Sequence, residues 1–154
     1  MPKIRIFMSF DPDHDQDLRD LLLEQSHRRY SGFEISARSD AARMTDCWDE
    51  KVRRQISAVD EVIVICGEHT AASVRVNAEL RIAKEEQKPY LLLWGRRERM
   101  CTKPAGSGRG DSMYSWTWEI LQDQITKTLR SARPREVAER YKRPEATRSS
   151  RPAG

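Results

Sequence analysis

The chain has 154 residues, of which 34% are charged and 38% are hydrophobic, a length and composition typical of one globular domain rather than a disordered chain. It contains no run of about 18 apolar residues and no signal-peptide pattern, so we expect a cytoplasmic protein without a membrane partner. The three cysteines and three histidines are widely spaced, which argues against a disulfide framework and against a metal site.

The net charge of +4 belongs to the carboxyl-terminal end of the chain. Residues 133–154 carry seven basic and three acidic side chains, which leaves residues 1–132 neutral. A dedicated nucleic-acid binder has its basic surface on the fold itself, so this distribution argues against nucleic acid as a partner. We expect one folded domain over residues 1–132 and a basic, disordered tail over residues 133–154.

Strands and helices alternate along the chain, because apolar β-favouring runs are followed by segments with apolar residues at helical spacing. The predicted strands span residues 3–10, 32–36, 61–67 and 89–94, and the predicted helices span residues 13–29, 45–58, 68–88 and a segment that starts near Ser115. This alternation predicts an α/β fold with three layers, in which a central parallel sheet of four or five strands lies between helices joined by right-handed crossovers.

The segment over residues 61–94 contains the residue on which the functional interpretation depends. Two unbroken apolar runs flank a polar helix, which predicts a βαβ unit whose strands are buried on both faces. Glu79 lies three residues after Val76 and four before Ala83, at the edge of the buried stripe of that helix. A carboxylate there is either partly desolvated, with a raised pKa suited to catalysis, or exposed and paired with an arginine one turn away.

The ligand crevice of a doubly wound sheet lies beyond the carboxyl ends of its strands. Here that edge consists of three loops, residues 9–13, 36–46 and 66–73. None of them has the glycine pattern of a dinucleotide-binding site or a P-loop. A receiver domain needs an acceptor aspartate at the end of the third strand, where this chain has Cys66 and Gly67. This difference argues against a receiver domain. The long loop after the second strand is typical of a binding or regulatory segment, with simple mobility as the alternative.

Several segments together resemble the TIR-like proteins of prokaryotes, in particular the branch that includes the TIR-like component of Thoeris antiphage systems. The similar segments are residues 4–10, 48–56, 59–67, 70–80, 88–89 and 116–118. The resemblance covers roughly residues 3–130 and implies a flavodoxin-like TIR fold. It places Glu79 at the position of the catalytic glutamate of NAD-cleaving TIR domains. The sequence departs from the family at Arg75, because an aromatic residue usually lies four positions before that glutamate.

The resemblance implies an NAD glycohydrolase or ADP-ribosyl cyclase that produces a nucleotide signal in bacterial antiphage defence. Its partners would be NAD or a related nucleotide as substrate, other copies of the chain in a homo-oligomer on activation, and an effector protein that reads the product. No cofactor is implied. Breaking the glycosidic bond gives the ribose oxocarbenium character, which a carboxylate at Glu79 is suited to stabilise.

Five further residues are candidate substrate contacts. The ring of Phe10 is placed to stack on a base or on nicotinamide, with a core position as the alternative. Ser9, Asp11 and Ser36 are candidates to bond ribose or phosphate, and otherwise satisfy nearby backbone groups as strand-end residues. Arg75 is either a phosphate contact or a partner that pairs with the glutamate and holds it inactive.

Two other functions fit the same sequence. A non-catalytic TIR-like module would use the loop over residues 37–46 and the helix surfaces for signalling or assembly, and it would tolerate substitution of Glu79. A nucleoside deoxyribosyltransferase would also place a glutamate beside a glycosidic bond, and it would act on nucleosides instead of NAD.

Overall fold

A computed structural model describes residues 2–131 of the chain. The strands are β1 (Ile4–Ser9), β2 (Phe33–Arg38), β3 (Glu61–Cys66), β4 (Tyr90–Trp94) and β5 (Met113–Ser115). The helices are α1 (Gln16–Ser26), α2 (Trp48–Ser57), α3 (Val74–Glu85) and α4, over residues 118–131, with a short 3-10 helix at Thr70–Ala72 before α3. None of the helices within residues 2–131 has both the length and the apolar character needed to cross a bilayer. The predicted tail, residues 133–154, lies outside the described residues.

The five strands form one parallel sheet in the order β2-β1-β3-β4-β5. The chain first adds β2 on one side of β1 and then adds the later strands on the other side. With right-handed crossovers, this reversal places α1 on one face of the sheet and α2 and α3 on the other. The predicted α/β fold, with a central parallel sheet between two helical layers, is confirmed.

An apolar layer covers each face of the sheet. β3 is buried over its whole length, and its alternate side chains enter the two layers. The layer beneath α2 and α3 includes Phe7, Trp48, Val52, Ile56, Val62, Val64, Val76, Ile82 and Leu92. The layer beneath α1 and α4 includes Ile6, Met8, Phe10, Leu18, Leu22, Ile63, Ile65, Leu93, Leu121 and Ile125. These two layers fix the carboxyl ends of β1 and β3 relative to the start of α3.

The carboxyl-terminal part of the fold differs from the sequence-based prediction. The sequence predicts a helix capped by Ser115, whereas Ser115 ends the edge strand β5, which pairs with β4. The last helix begins at residue 118. Thr117 caps it, because its hydroxyl accepts a hydrogen bond from the amide of Ile120 (3.1 Å). The predicted cap at Ser115 is therefore wrong.

Helix α3 is also shorter than the predicted helix over residues 68–88. Ser73 has an extended backbone conformation and its hydroxyl accepts a hydrogen bond from the amide of Val76, so the helix starts at Val74. Before it, the hydroxyl of Thr70 accepts from the amide of Gly67 (2.7 Å) and forms a separate turn. This arrangement brings the first turn of α3 to the carboxyl edge of the sheet.

Candidate functional site

Glu79 is the central side chain of the candidate site, and it is only 1% exposed. Its Oε1 accepts hydrogen bonds from the hydroxyl of Ser9 (2.7 Å), at the end of β1, and from the hydroxyl of Ser39 (2.5 Å), just after β2. Three segments that are distant in sequence therefore meet at one carboxyl group. The predicted exposed position of Glu79 is therefore wrong, and its predicted removal from solvent is confirmed.

Burial raises the pKa of Glu79 to about 7. The hydroxyls of Ser39 and Ser9 oppose this shift because they donate to the charged form, and the charge of Arg75 opposes it to a smaller extent. A carboxyl group with a pKa near 7 exists in both protonation states under physiological conditions. Such a group is suited to reactions in which charge or a proton moves.

Arg75 lies one helical turn before Glu79 but its side chain turns toward the loop after β2. Its Nη2 donates to the main-chain oxygen of Ala42 (2.5 Å), and its Nη1 lies 3.9 Å from Oδ1 of Asp40. Its guanidinium carbon lies 5.6 Å from the centre of the Trp48 ring. Within residues 2–131 no ion pair joins Arg75 to Glu79. The predicted pairing that would hold the glutamate inactive is therefore absent from this part of the chain.

A cavity of about 400 Å³ opens at the carboxyl edge of the sheet, beside the first turn of α3. The loops after β1, β2 and β3 all contribute to its wall. The lining residues are Asp11, Pro12, Asp13, His14, Ala41, Met44, His69, Ala72, Ser73, Val74 and Arg75. The cavity therefore occupies the predicted crevice. Glu79 lies four residues, about 6 Å, further along α3 than Arg75 and is not one of the lining residues.

The other predicted contact residues have different positions. Phe10 is buried in the layer beneath α1 and α4, so its ring has the core position that the sequence left as an alternative. Asp11 lines the cavity. Ser36 is exposed and is the unpaired residue of a β-bulge, because Ile35 and Ala37 pair with successive residues of β1. Ser36 therefore does not join the group around the glutamate, and Ser39 donates there instead.

Sequence reasoning missed a second group of side chains at the same edge. Nδ1 of His14 lies 2.7 Å from Oδ2 of Asp11, and the ring of His14 stacks on that of His69 with 3.9 Å between the centroids. The hydrogen bond to Asp11 raises the pKa of His14. The sequence could have predicted this contact, because the two histidines follow β1 and β3, which are neighbours in a sheet of this order. Among residues 2–131, no three metal-ligating side chains are grouped so as to hold a metal ion.

The strand order, the two helical layers and the glutamate at the carboxyl edge define a flavodoxin-like α/β domain of the TIR-like class. The family model for the TIR-like domain of the Thoeris protein ThsB matches residues 7–98. This match covers more than half of the chain, so the chain belongs to that family. No curated protein matches the chain. Family membership supports a role in antiphage defence signalling, and the matched residues include both the glutamate and the histidine groups.

Proposed function

We propose that the chain cleaves the bond between nicotinamide and ribose in NAD, with Glu79 as the catalytic group. The product is a nucleotide signal, and an effector protein reads it during antiphage defence. The observation that supports this most directly is the carboxyl group of Glu79. It is buried one helical turn from Arg75, which lines the cavity at the carboxyl edge of the sheet, and burial raises its pKa to about 7.

Cleavage of this bond leaves positive charge on the ribose as nicotinamide departs. The ionised carboxylate of Glu79 would stabilise that charge and bind the ribose hydroxyls, and the low polarity around it would strengthen the interaction. Ser9 and Ser39 hold Oε1 in place through their hydroxyls. In this mechanism Glu79, Ser9 and Ser39 supply electrostatic stabilisation and orientation, NAD is the substrate, and no cofactor takes part.

The described conformation is a closed one. Ser39 donates to the carboxylate, and the bond from Arg75 to Ala42 ties the loop after β2 to α3. Because Glu79 is 1% exposed in this conformation, we propose that this loop moves to admit NAD. We propose that self-association of the chain shifts the loop on activation, so that an isolated domain is silent and a homo-oligomer is active.

The deciding experiment compares Glu79→Gln with the unchanged protein in cells under phage challenge. Mass spectrometry should show loss of NAD and appearance of an ADP-ribose-type product with the unchanged protein. Neither change should occur with Glu79→Gln, whose side chain keeps its size and loses its charge. Glu85→Gln is the matched control, because Glu85 ends the same helix and is exposed in a surface ion pair with Arg53. If NAD stays intact in all three cultures, the enzymatic proposal is wrong.

A second candidate function is a non-catalytic module that acts through assembly. The enclosure of Glu79 favours it, because a buried carboxyl group that joins β1, α3 and the loop after β2 also has a structural use. This function predicts that Glu79→Gln retains defence, since glutamine can still accept both hydroxyl hydrogen bonds. It also predicts that substitutions in the loop over residues 39–47 abolish defence.

A further inference from the structure

We propose that His14 transfers a proton at this site, as a base that Asp11 orients and that accepts a proton from the water attacking the ribose. The inference rests on the proposed function, because it names a second participant in the same cleavage of NAD. It depends on the group formed by Asp11, His14 and His69 at the carboxyl ends of β1 and β3.

Asp11 is fixed within the turn that follows β1. Its side chain is 7% exposed, and its Oδ1 accepts a hydrogen bond from the amide of Asp13 (3.0 Å). Its main-chain oxygen accepts from the amide of Asp15 (2.9 Å). These bonds hold Oδ2 at 2.7 Å from Nδ1 of His14. The carboxylate therefore accepts a hydrogen bond from Nδ1, and this tautomer leaves the basic lone pair on Nε2 of His14.

The imidazole ring of His14 is held in place and is also accessible. It stacks on His69 at an angle of 23° between the two ring planes. Nη2 of Arg96 donates to the main-chain oxygen of His14 (3.1 Å) and to Oδ1 of Asp15 (3.0 Å), which ties this turn to the loop after β4. The His14 side chain is 48% exposed and lines the cavity. No described residue bonds to Nε2, so this nitrogen is available to a substrate or to water.

The surroundings of His14 raise its pKa above the ordinary value for histidine. The hydrogen bond to Asp11 is the main cause that raises the pKa of His14, and removal of the ring from solvent opposes it. The other charged or titratable groups near the ring or its turn are Asp13, Asp15, His69, Arg75 and Arg96. Histidine is the side chain whose ordinary pKa lies nearest to neutral pH, which makes it the most common general base.

The proposed step balances without a further reactant. The bond between C1′ and the nicotinamide nitrogen breaks, and its electron pair neutralises the pyridinium charge. Water forms the new bond from oxygen to C1′ and gives one proton to Nε2 of His14. The Glu79 carboxylate meanwhile stabilises the positive charge on the ribose. The exposed imidazolium then releases the proton to solvent.

The test uses the full-length protein under conditions in which it cleaves NAD. We expect His14→Ala to lower kcat for NAD hydrolysis roughly 10²-fold, with little change in KM, since general bases typically contribute at least that much. Added imidazole should restore part of the rate, because the deletion leaves space beside Asp11. His27→Ala is the matched control: His27 is exposed at the end of α1, and its substitution should neither slow the reaction nor create rescue.

The pH dependence provides a readout that a purely structural role would not move. In the unchanged protein kcat should rise with pH as both Glu79 and His14 lose a proton. On the acid side, the plot of log kcat against pH should therefore be steeper than the plot expected for a single ionisation. In His14→Gln the slope of this plot should fall to that of a single ionisation. NMR of the imidazole tests the orientation without NAD: Asp11→Asn should lower the pKa of His14, because the carboxylate that stabilises the imidazolium is gone.

The outcomes separate this inference from the function on which it rests. The role of His14 is wrong if His14→Ala cleaves NAD at the unchanged rate. It is also wrong if His14→Ala is slow but imidazole does not restore its rate and its pH dependence matches that of the unchanged protein. In both cases the role of Glu79 stands. If the activated protein leaves NAD intact, or if Glu79→Gln is fully active, both fall together. Inactive Glu79→Gln with slow, imidazole-rescued His14→Ala supports both.

Discussion

Two buried glutamates lie at opposite ends of the sheet and differ in their surroundings. Glu79, at the carboxyl edge, accepts hydrogen bonds from Ser9 and Ser39. Glu61, at the amino end of β3, is 0% exposed, and neither of its carboxylate oxygens has a hydrogen-bond partner within residues 2–131. Burial raises the pKa of both groups, to about 7 for Glu79 and to about 9 for Glu61.

The difference between the two pKa values shows what the hydroxyls contribute. Donors stabilise the charged form of Glu79 and bring its pKa down to the neutral range. Glu61 has no such donors in the described residues, and the charge of Asp60 raises its pKa further, so it stays protonated. Burial alone thus produces an inert carboxylic acid, and burial with donors produces one that can become charged. For this reason the proposed catalytic role falls on Glu79 and not on Glu61.

The largest expected effect is on stability, at Glu61. Its pKa is raised on folding, so its contribution is most favourable below the ordinary pKa of 4.5 and is lost as the pH rises toward the folded value of about 9. Glutamine cannot ionise. Glu61→Gln should therefore raise the free energy of unfolding by roughly 4–5 kcal/mol at about pH 8 and leave it unchanged near pH 4.5.

Urea denaturation at the two pH values measures this gain, and Glu79→Gln provides the comparison. The pKa of Glu79 rises only to about 7, so the same argument gives a gain of roughly 3 kcal/mol at about pH 8. Both substitutions should therefore raise the free energy of unfolding, and Glu79→Gln should raise it less than Glu61→Gln. A gain at Glu79 that equals or exceeds the gain at Glu61 would contradict the contrast between the two sites.

The next effect tests the hydroxyls directly. Replacing both Ser9 and Ser39 with alanine should move the pKa of Glu79 from about 7 toward the value of about 9 at Glu61, because each donor stabilises the charged form by roughly 1.5–3 kcal/mol. NMR titration of the isotope-labelled side-chain carboxyl carbon of Glu79 measures this pKa. Ser36→Ala is the control, since Ser36 is exposed on the bulge. A double variant whose Glu79 still titrates near 7 would show that burial, not hydrogen bonding, sets the pKa.

Most of the fold was accessible from the sequence, because apolar runs and helical spacing identify buried strands and amphipathic helices independently of tertiary context. The three residues of β5 were not, because Met113–Ser115 is a short edge strand whose pairing with β4 depends on the sheet already being present. The start of the last helix was misplaced for a related reason. Serine is the better N-cap by propensity, and only the strand that ends at Ser115 shows that the cap lies at Thr117 instead.

The candidate site was predictable in part. The meeting of Ser9 with Glu79 follows from a parallel sheet in which β1 lies beside β3. That Ser39, and not Ser36, donates to Glu79 does not follow from the sequence, because it depends on a one-residue β-bulge that no local pattern indicates. The contact between His14 and His69 needs the strand order as well as the strand ends. Substrate binding by Ser9, Asp11, Ser36, Phe10 and Arg75 stays a prediction.

The smallest expected effect concerns Arg75. Its charge lowers the pKa of Glu79 less than either hydroxyl does, and its direct contacts are with Ala42 and Trp48. Arg75→Gln should therefore raise the pKa of Glu79 by less than the loss of Ser39 alone. It should also free the loop after β2, which hydrogen exchange of the amides in residues 39–47 would detect as faster exchange.

Arg75→Lys separates these two consequences. Lysine keeps the positive charge, so the pKa of Glu79 should stay close to that of the unchanged protein. Lysine lacks the planar guanidinium group that bonds the Ala42 carbonyl and lies over Trp48, so the loop should still exchange faster. If the loop exchanges at the same rate in both variants as in the unchanged protein, Arg75 does not hold it. The contact of the loop with Glu79 would then depend on the hydrogen bond from Ser39.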